Sequence, residues 1–330
     1  MALAVSASLA VLAFTTPLRT APQQALAAPP SHVVFHWSPA IDLYFHVRVA
    51  ESALAAEPFA PAAKLARELD RALGGMALAW GPLDGLLPGC ATVADLQAAF
   101  ARAPERLTLR GGTQVELRAR ALELAAALVP AEEAFAELWK EREPRLAAVR
   151  ALWTERVGAK ERALLDFHLA SLGMTDPRLA LPVYLVGEAP WPGALTVFDE
   201  RRQGVSFVAA SAGEGSTLLE IVLHEVTHSL DVACGERSAL GELRARLPAP
   251  EGALRRGDPA HVLMFVQSAE SIRRMIDPDH HDYGDLEDVY ARLGAGVEAL
   301  RGAWGDHLAG RLTRAEAFDL YAESLAPAGK

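Results

Sequence analysis

Cysteine is scarce. The chain of 330 residues has two, Cys90 and Cys234. They are too few for a metal site of their own; they would pair once in an oxidising compartment, or stay as two separate buried thiols. Positive charge is also in short supply: 32 Lys and Arg stand against 42 Asp and Glu, a net charge of -10. That balance argues against nucleic acid or an anionic membrane as partner. Long apolar runs are missing too. The uncharged stretch Met1–Phe14 is shorter than the roughly 20 residues a membrane helix needs. There is no internal repeat, and no low-complexity segment beyond an Ala-rich leader.

What remains is globular: 51% apolar and 22% charged residues, in a chain long enough for two domains or one large one. The leader reads as an export signal over residues 1–27. Its apolar run is followed by Ala25-Leu26-Ala27, an A-x-A cleavage site, although no Lys or Arg precedes Arg19. No cysteine lies near that point, so no lipid attachment is implied. The mature protein is expected to be periplasmic or secreted, with no stable membrane span.

The chemistry concentrates in Ser216–Asp231, which contains His224-Glu225-Val226-Thr227-His228, an H-E-x-x-H pattern. On a helix, residues four apart share a face, so His224 and His228 present two imidazoles to one ion. Glu225 sits beside them, within reach of a water on that ion. The flanks support a buried helix: no charge falls at 221–223, 226–227 or 229–230, and no Pro or Gly at 216–233. Ser216 or Thr217 suits the N-cap; if Thr217 caps, Glu220 falls at N3 and completes a capping box, and Gly235 suits the C′ position. Polar groups buried without a partner cost roughly 1–3 kcal/mol each, and a shared metal would supply the partner.

In these residues the chain resembles the zincins, the HExxH zinc metallopeptidases, over about twenty residues and a general order of elements. The resemblance implies Zn²⁺, a peptide or protein substrate, and Glu225 as general base. It also implies a zincin-like catalytic domain with an edge strand over the metal. A metzincin continuation is absent, because Ser229–Cys234 lacks the required Gly and His. The gluzincin-like branch takes a Glu from a later helix, and Glu270, on a helix expected over 259–276, fits. Thermolysin-like gluzincins have an Asp four residues beyond that Glu; here the position is Arg274. Asp231, on the histidine face, is expected to hydrogen-bond and orient an imidazole, and is a rival third ligand. His261 is the other rival. It lies nine residues before Glu270, half a turn round the helix, so one straight helix cannot aim both at one ion. Without a metal, Glu270 would form ordinary ion pairs with Arg273 or Arg274. Tyr283, with His281 behind it, is the expected oxyanion donor.

The rest of the chain predicts an α+β fold, predominantly helical. Helical spacing marks 61–73, 92–103, 114–128, 131–153 and 155–172, interrupted at Pro130 and Pro144. Strands are expected at 181–186, 194–198 and 204–210, a small sheet just before the HExxH helix. A short helix is expected within 236–257, and two more over 286–308 and 313–325. The expected division is a helical N-terminal region, 28–175, and the zincin-like domain, 176–330. His32, His36, His46 and His168 read as solvated or packed side chains. Two readings rival the metallopeptidase: a non-catalytic binding protein of the cell envelope that retains the helix, and a zinc hydrolase of a non-peptide amide.

Overall fold

A four-stranded mixed sheet divides the molecule. The structure, a computed structural model, describes residues 29–109, 111–235, 238–247, 259–286, 289–293 and 296–325. The expected signal at 1–27, the loop at 248–257 and Asp258 lie outside the described residues.

The chain opens with β1 (His32–His36), α1 (Pro39–Val49), α2 (Ala60–Ala72), α3 (Gly81–Asp84) and α4 (Val93–Phe100). A small antiparallel pair follows, β2 (Leu107–Thr108) with β3 (Gln114–Val115), then α5 (Leu117–Arg156) and α6 (Glu161–Ser171). Next come β4 (Ala180–Val186), β5 (Ala194–Phe198), β6 (Gly204–Ala209) and α7 (Gly215–Cys234). The remaining helices are α8 (Ala239–Arg246), α9 (Pro259–Met275), α10 (Tyr283–Leu286), α11 (Val289–Leu293), α12 (Val297–Leu308) and α13 (Arg314–Leu325). The fold is α+β and mostly helical, as expected. None of the described helices is long and apolar enough to cross a membrane.

The strand order is β1-β4-β6-β5, with β1, β4 and β6 parallel and β5 antiparallel to β6. Three of these strands stand where their alternation placed them. The fourth, β1, comes from the start of the folded chain and pairs Val33 with Leu181. Side chains alternate across the sheet. Leu195, Val197, Val205 and Phe207 join one apolar cluster, with α1, α2, α4 and the first half of α5. Val183, Leu185, Ala194 and Val208 join a second, with α6, α7, α9 and the C-terminal helices. The expected division at 175/176 therefore runs through one sheet: helices of the N-terminal region pack on both of its faces, α1, α2, α4 and the first half of α5 on one, the second half of α5 and α6 on the other.

Two other expectations are corrected. The segments 114–128 and 131–153 form one helix of 40 residues, with Pro130 and Pro144 inside it. A proline removes one N–H and leaves the carbonyl four residues back unpaired. Pro130 and Pro144 are exposed, as are Ala126 and Lys140, so those carbonyls meet water, and the buried stripe Leu128, Ala131, Phe135 continues past Pro130. The helix expected at 155–172 instead breaks at Gly158–Lys160 and restarts as α6. Cys90 and Cys234 are not joined: their thiols bond the carbonyls of Leu86 and Thr175.

The N-terminal face is pinned by a buried ion pair. Arg48 on α1 meets Asp84 on α3 at 2.8 Å, the Tyr44 hydroxyl donates to Asp84 at 2.8 Å, and the Arg48 guanidinium lies 4.3 Å from the Trp80 ring centre. Removing one partner of such a pair leaves an uncompensated buried charge. Asp84→Ala is expected to cost about 3–5 kcal/mol, measured by urea unfolding.

Candidate metal centre and general base

α7 is buried along nearly its whole length, as its uncharged flanks predict. It ends at Gly235, whose φ of +64° no other residue adopts as easily. Its start differs from expectation. Glu214 is the cap residue and makes no side-chain capping bond. Ser216 donates its hydroxyl to Asp277. Glu220 turns inward: it is fully buried, pairs with His280 Nε2 at 2.6 Å and accepts the Tyr283 N–H at 2.8 Å. Burial lifts its carboxyl to about 7, against the pull of those two bonds. Glu220 thus anchors the 277–283 loop to α7 instead of closing a capping box.

One turn further on, His224 and His228 meet a third imidazole. The ring centres of His224 and His228 are 5.0 Å apart, and His261, near the start of α9, lies 5.0 Å from one and 5.2 Å from the other. One ligand atom from each lies within 4.8 Å of the others, the group of metal-ligating side chains that the described residues bring together. His224 Nε2 and His261 Nε2 are 3.1 Å apart. Two nitrogens bound tetrahedrally at zinc distances would be separated by about 3.3 Å, so this spacing suits a shared cation. The donor set suits it as well. Burial, with the neighbouring imidazoles, pushes His224 well below its ordinary pKa, and burial takes His228 down to about 3. Both are neutral, with lone pairs to give. His224 Nδ1 is buried without a hydrogen-bond partner among the described residues. Its ring is oriented by Phe265, stacked 3.8 Å away at 22°.

Glu270 does not join this group. Nine residues beyond His261 it faces away, as helical spacing requires, and its carboxylate is taken by Arg273 and by Arg274, the latter at 3.1 Å. Asp231 does not orient an imidazole either: it accepts from Ser238 at 3.0 Å and from Arg244 at 2.7 Å, tying α7 to α8. Tyr283 is 3% exposed, and its hydroxyl donates to the Pro192 carbonyl, so its donor is engaged away from the imidazoles. Its ring lies 6.3 Å from Phe265, the residue stacked on His224. His281 sits exposed in the neighbouring loop. His168 is buried between Thr227 and Ser271, His36 stacks on Tyr184, and His46 packs edge-on to Phe59.

Glu225 is 5% exposed, and burial raises its carboxyl to about 7 although Thr196 draws it down. The Thr196 hydroxyl lies 2.7 Å from Glu225 Oε2 and 2.9 Å from the Glu225 carbonyl oxygen. On its other side Thr196 meets Ser206 Oγ at 2.9 Å, the residue opposite it in the β5–β6 register. Phe265, Thr196 and Ser206 carry no motif. The only sequence signal for Thr196 is the strand alternation that groups it with Ala194 on one face.

β5 is an edge strand. Ala209 donates its N–H to Gly193, so by the antiparallel alternation Leu195 and Val197 bond β6, while Ala194, Thr196 and Phe198 turn their backbone groups outward. Gly85 closes on the Phe198 carbonyl, where a Cβ would come within 2.7 Å.

No family model matches the chain, and none of the curated proteins or solved structures compared with it matches either.

Proposed function

We propose that this protein is an exported zinc-dependent hydrolase of peptide bonds, a metallopeptidase related in plan to the zincins. The observation that carries the reading is the convergence of three imidazoles, His224 and His228 from α7 and His261 from α9, with a buried carboxylate, Glu225, on the same turn of α7 as the first two. Three protein ligands and one open position are the usual make-up of a catalytic zinc site.

Zinc in such a set supplies Lewis acidity toward water and the scissile carbonyl. Glu225 takes a proton from the attacking water and delivers it to the leaving amine nitrogen as the C–N bond breaks. The outward backbone groups of Ala194 and Thr196 on the sheet edge support pairing with an extended peptide, a common mode of peptide recognition. The charge of -10 argues against nucleic acid as the partner.

The test is metal content together with hydrolysis. Protein purified without chelators is expected to carry about one zinc per chain. It is expected to cleave an unstructured protein such as casein, to lose that activity on dialysis against a chelator, and to regain it with zinc. One observation favours a rival: His224 is 2% and Glu225 5% exposed, so solvent reaches the site only on the side of the half-buried His228 and His261, a setting that also suits a metal-holding protein without turnover. Stoichiometric zinc with no cleavage of any peptide or amide decides for that rival.

A further inference from the structure

We infer that Thr196, backed by Ser206, is a positioning residue for Glu225, holding the general base in one rotamer and coupling it to the strand that would receive substrate. The inference rests on the hydrolase reading. Glutamate χ3 is a broad, nearly two-fold torsion, so an untethered carboxylate has no fixed aim. Here Oε2 is tethered at 2.7 Å by the Thr196 hydroxyl, while Oε1 makes no hydrogen bond among the described residues. The tether is itself held. A threonine hydroxyl has one proton and two lone pairs. With Glu225 ionised, its carbonyl and carboxylate only accept, so the single Thr196 proton lies between those two oxygens, the shorter contact being to Oε2, and the fully buried Ser206 donates to Thr196 Oγ1. The order Ser206, Thr196, Glu225 therefore runs from β6 through β5 to α7 and leaves Oε1 as the oxygen available to a water. Because Thr196 belongs to the edge strand, any shift of β5 on docking a peptide is passed to the base.

The test uses the full zinc-loaded chain and four variants, the two single changes at Thr196, Glu225→Leu and the double variant Thr196→Val with Glu225→Leu. Thr196→Val keeps the shape and removes the hydroxyl; Thr196→Ser restores it. With zinc content unchanged, Thr196→Val is expected to lose kcat by about 30–100-fold with KM within about 3-fold, the scale of a base misplaced by an ångström. Thr196→Ser should return to within about 3-fold of the parent, since it keeps the donor. Equal kcat in Thr196→Val, equal damage in Thr196→Ser, or a loss confined to KM overturns the inference. A second readout needs no turnover. Thermal melts of Thr196→Val in the parent and in a Glu225→Leu background should be non-additive, the Thr196→Val penalty shrinking by half or more, roughly, once its acceptor is gone. Additive melts overturn the positioning role even if the enzyme is active. Non-additive melts in a protein that cleaves nothing support the tether while the hydrolase reading fails.

Discussion

His261→Phe is expected to strip the protein of zinc. An aromatic ring of similar size keeps the contact with Phe265 and removes the nitrogen. Loss of one of three protein ligands should weaken zinc binding by about a thousand-fold or more, roughly 4 kcal/mol. Competition against a fluorescent zinc chelator measures it. Glu270→Gln is the control. Its carboxylate serves Arg273 and Arg274 on α9, so its zinc affinity should stay within about two-fold of the parent, with a stability loss of a few tenths of a kcal/mol. The reverse pattern, zinc lost in Glu270→Gln and kept in His261→Phe, would overturn the three-imidazole site.

Glu225→Gln should leave zinc in place and remove hydrolysis. The carboxamide is nearly isosteric, and its oxygen still accepts from Thr196, so the helix turn and its two imidazoles are undisturbed. It cannot take a proton from water. A positioned general base is worth about 10²–10⁴-fold, and with the same group returning the proton to the amine the upper half of that range is expected in kcat/KM. At about 1.4 kcal/mol per decade this is roughly 4–5.5 kcal/mol of transition-state stabilisation. Hydrolysis of casein by the loaded variant at the parent's rate would mean that another group activates the water.

Expectation and structure part company where a contact spans the chain. The strands at 181–186, 194–198 and 204–210 are local alternations, and the structure has them within a residue. One partner of β4, β1, lies 148 residues earlier (Val33 opposite Leu181), and nothing in Val33-Val34-Phe35 announces that pairing. Prolines at 130 and 144 are strong local breakers, yet a helix absorbs them where the freed carbonyls face water, and exposure is a tertiary property. Glu220 is an N3 glutamate by spacing, but burial gave it the 277–283 loop as partner, and the helix began three residues sooner, after Glu214 in place of Thr217.

The metal centre divides in the same way. Sequence alone determined the first half of it, because 3.6 residues per turn place His224, Glu225 and His228 on one helix turn whatever the rest of the chain does. The same periodicity made His261 and Glu270 mutually exclusive, half a turn apart on α9. Which of the two would serve depended on the face α9 turns toward α7, and that is set by packing between helices some thirty residues apart. Only the tertiary structure decided it: His261 was rotated inward among aromatic rings, and Glu270 outward to two arginines. The tether on Glu225 is likewise a product of strand register, since Thr196 and Ser206 become neighbours of that carboxylate only when β5, β6 and α7 are assembled.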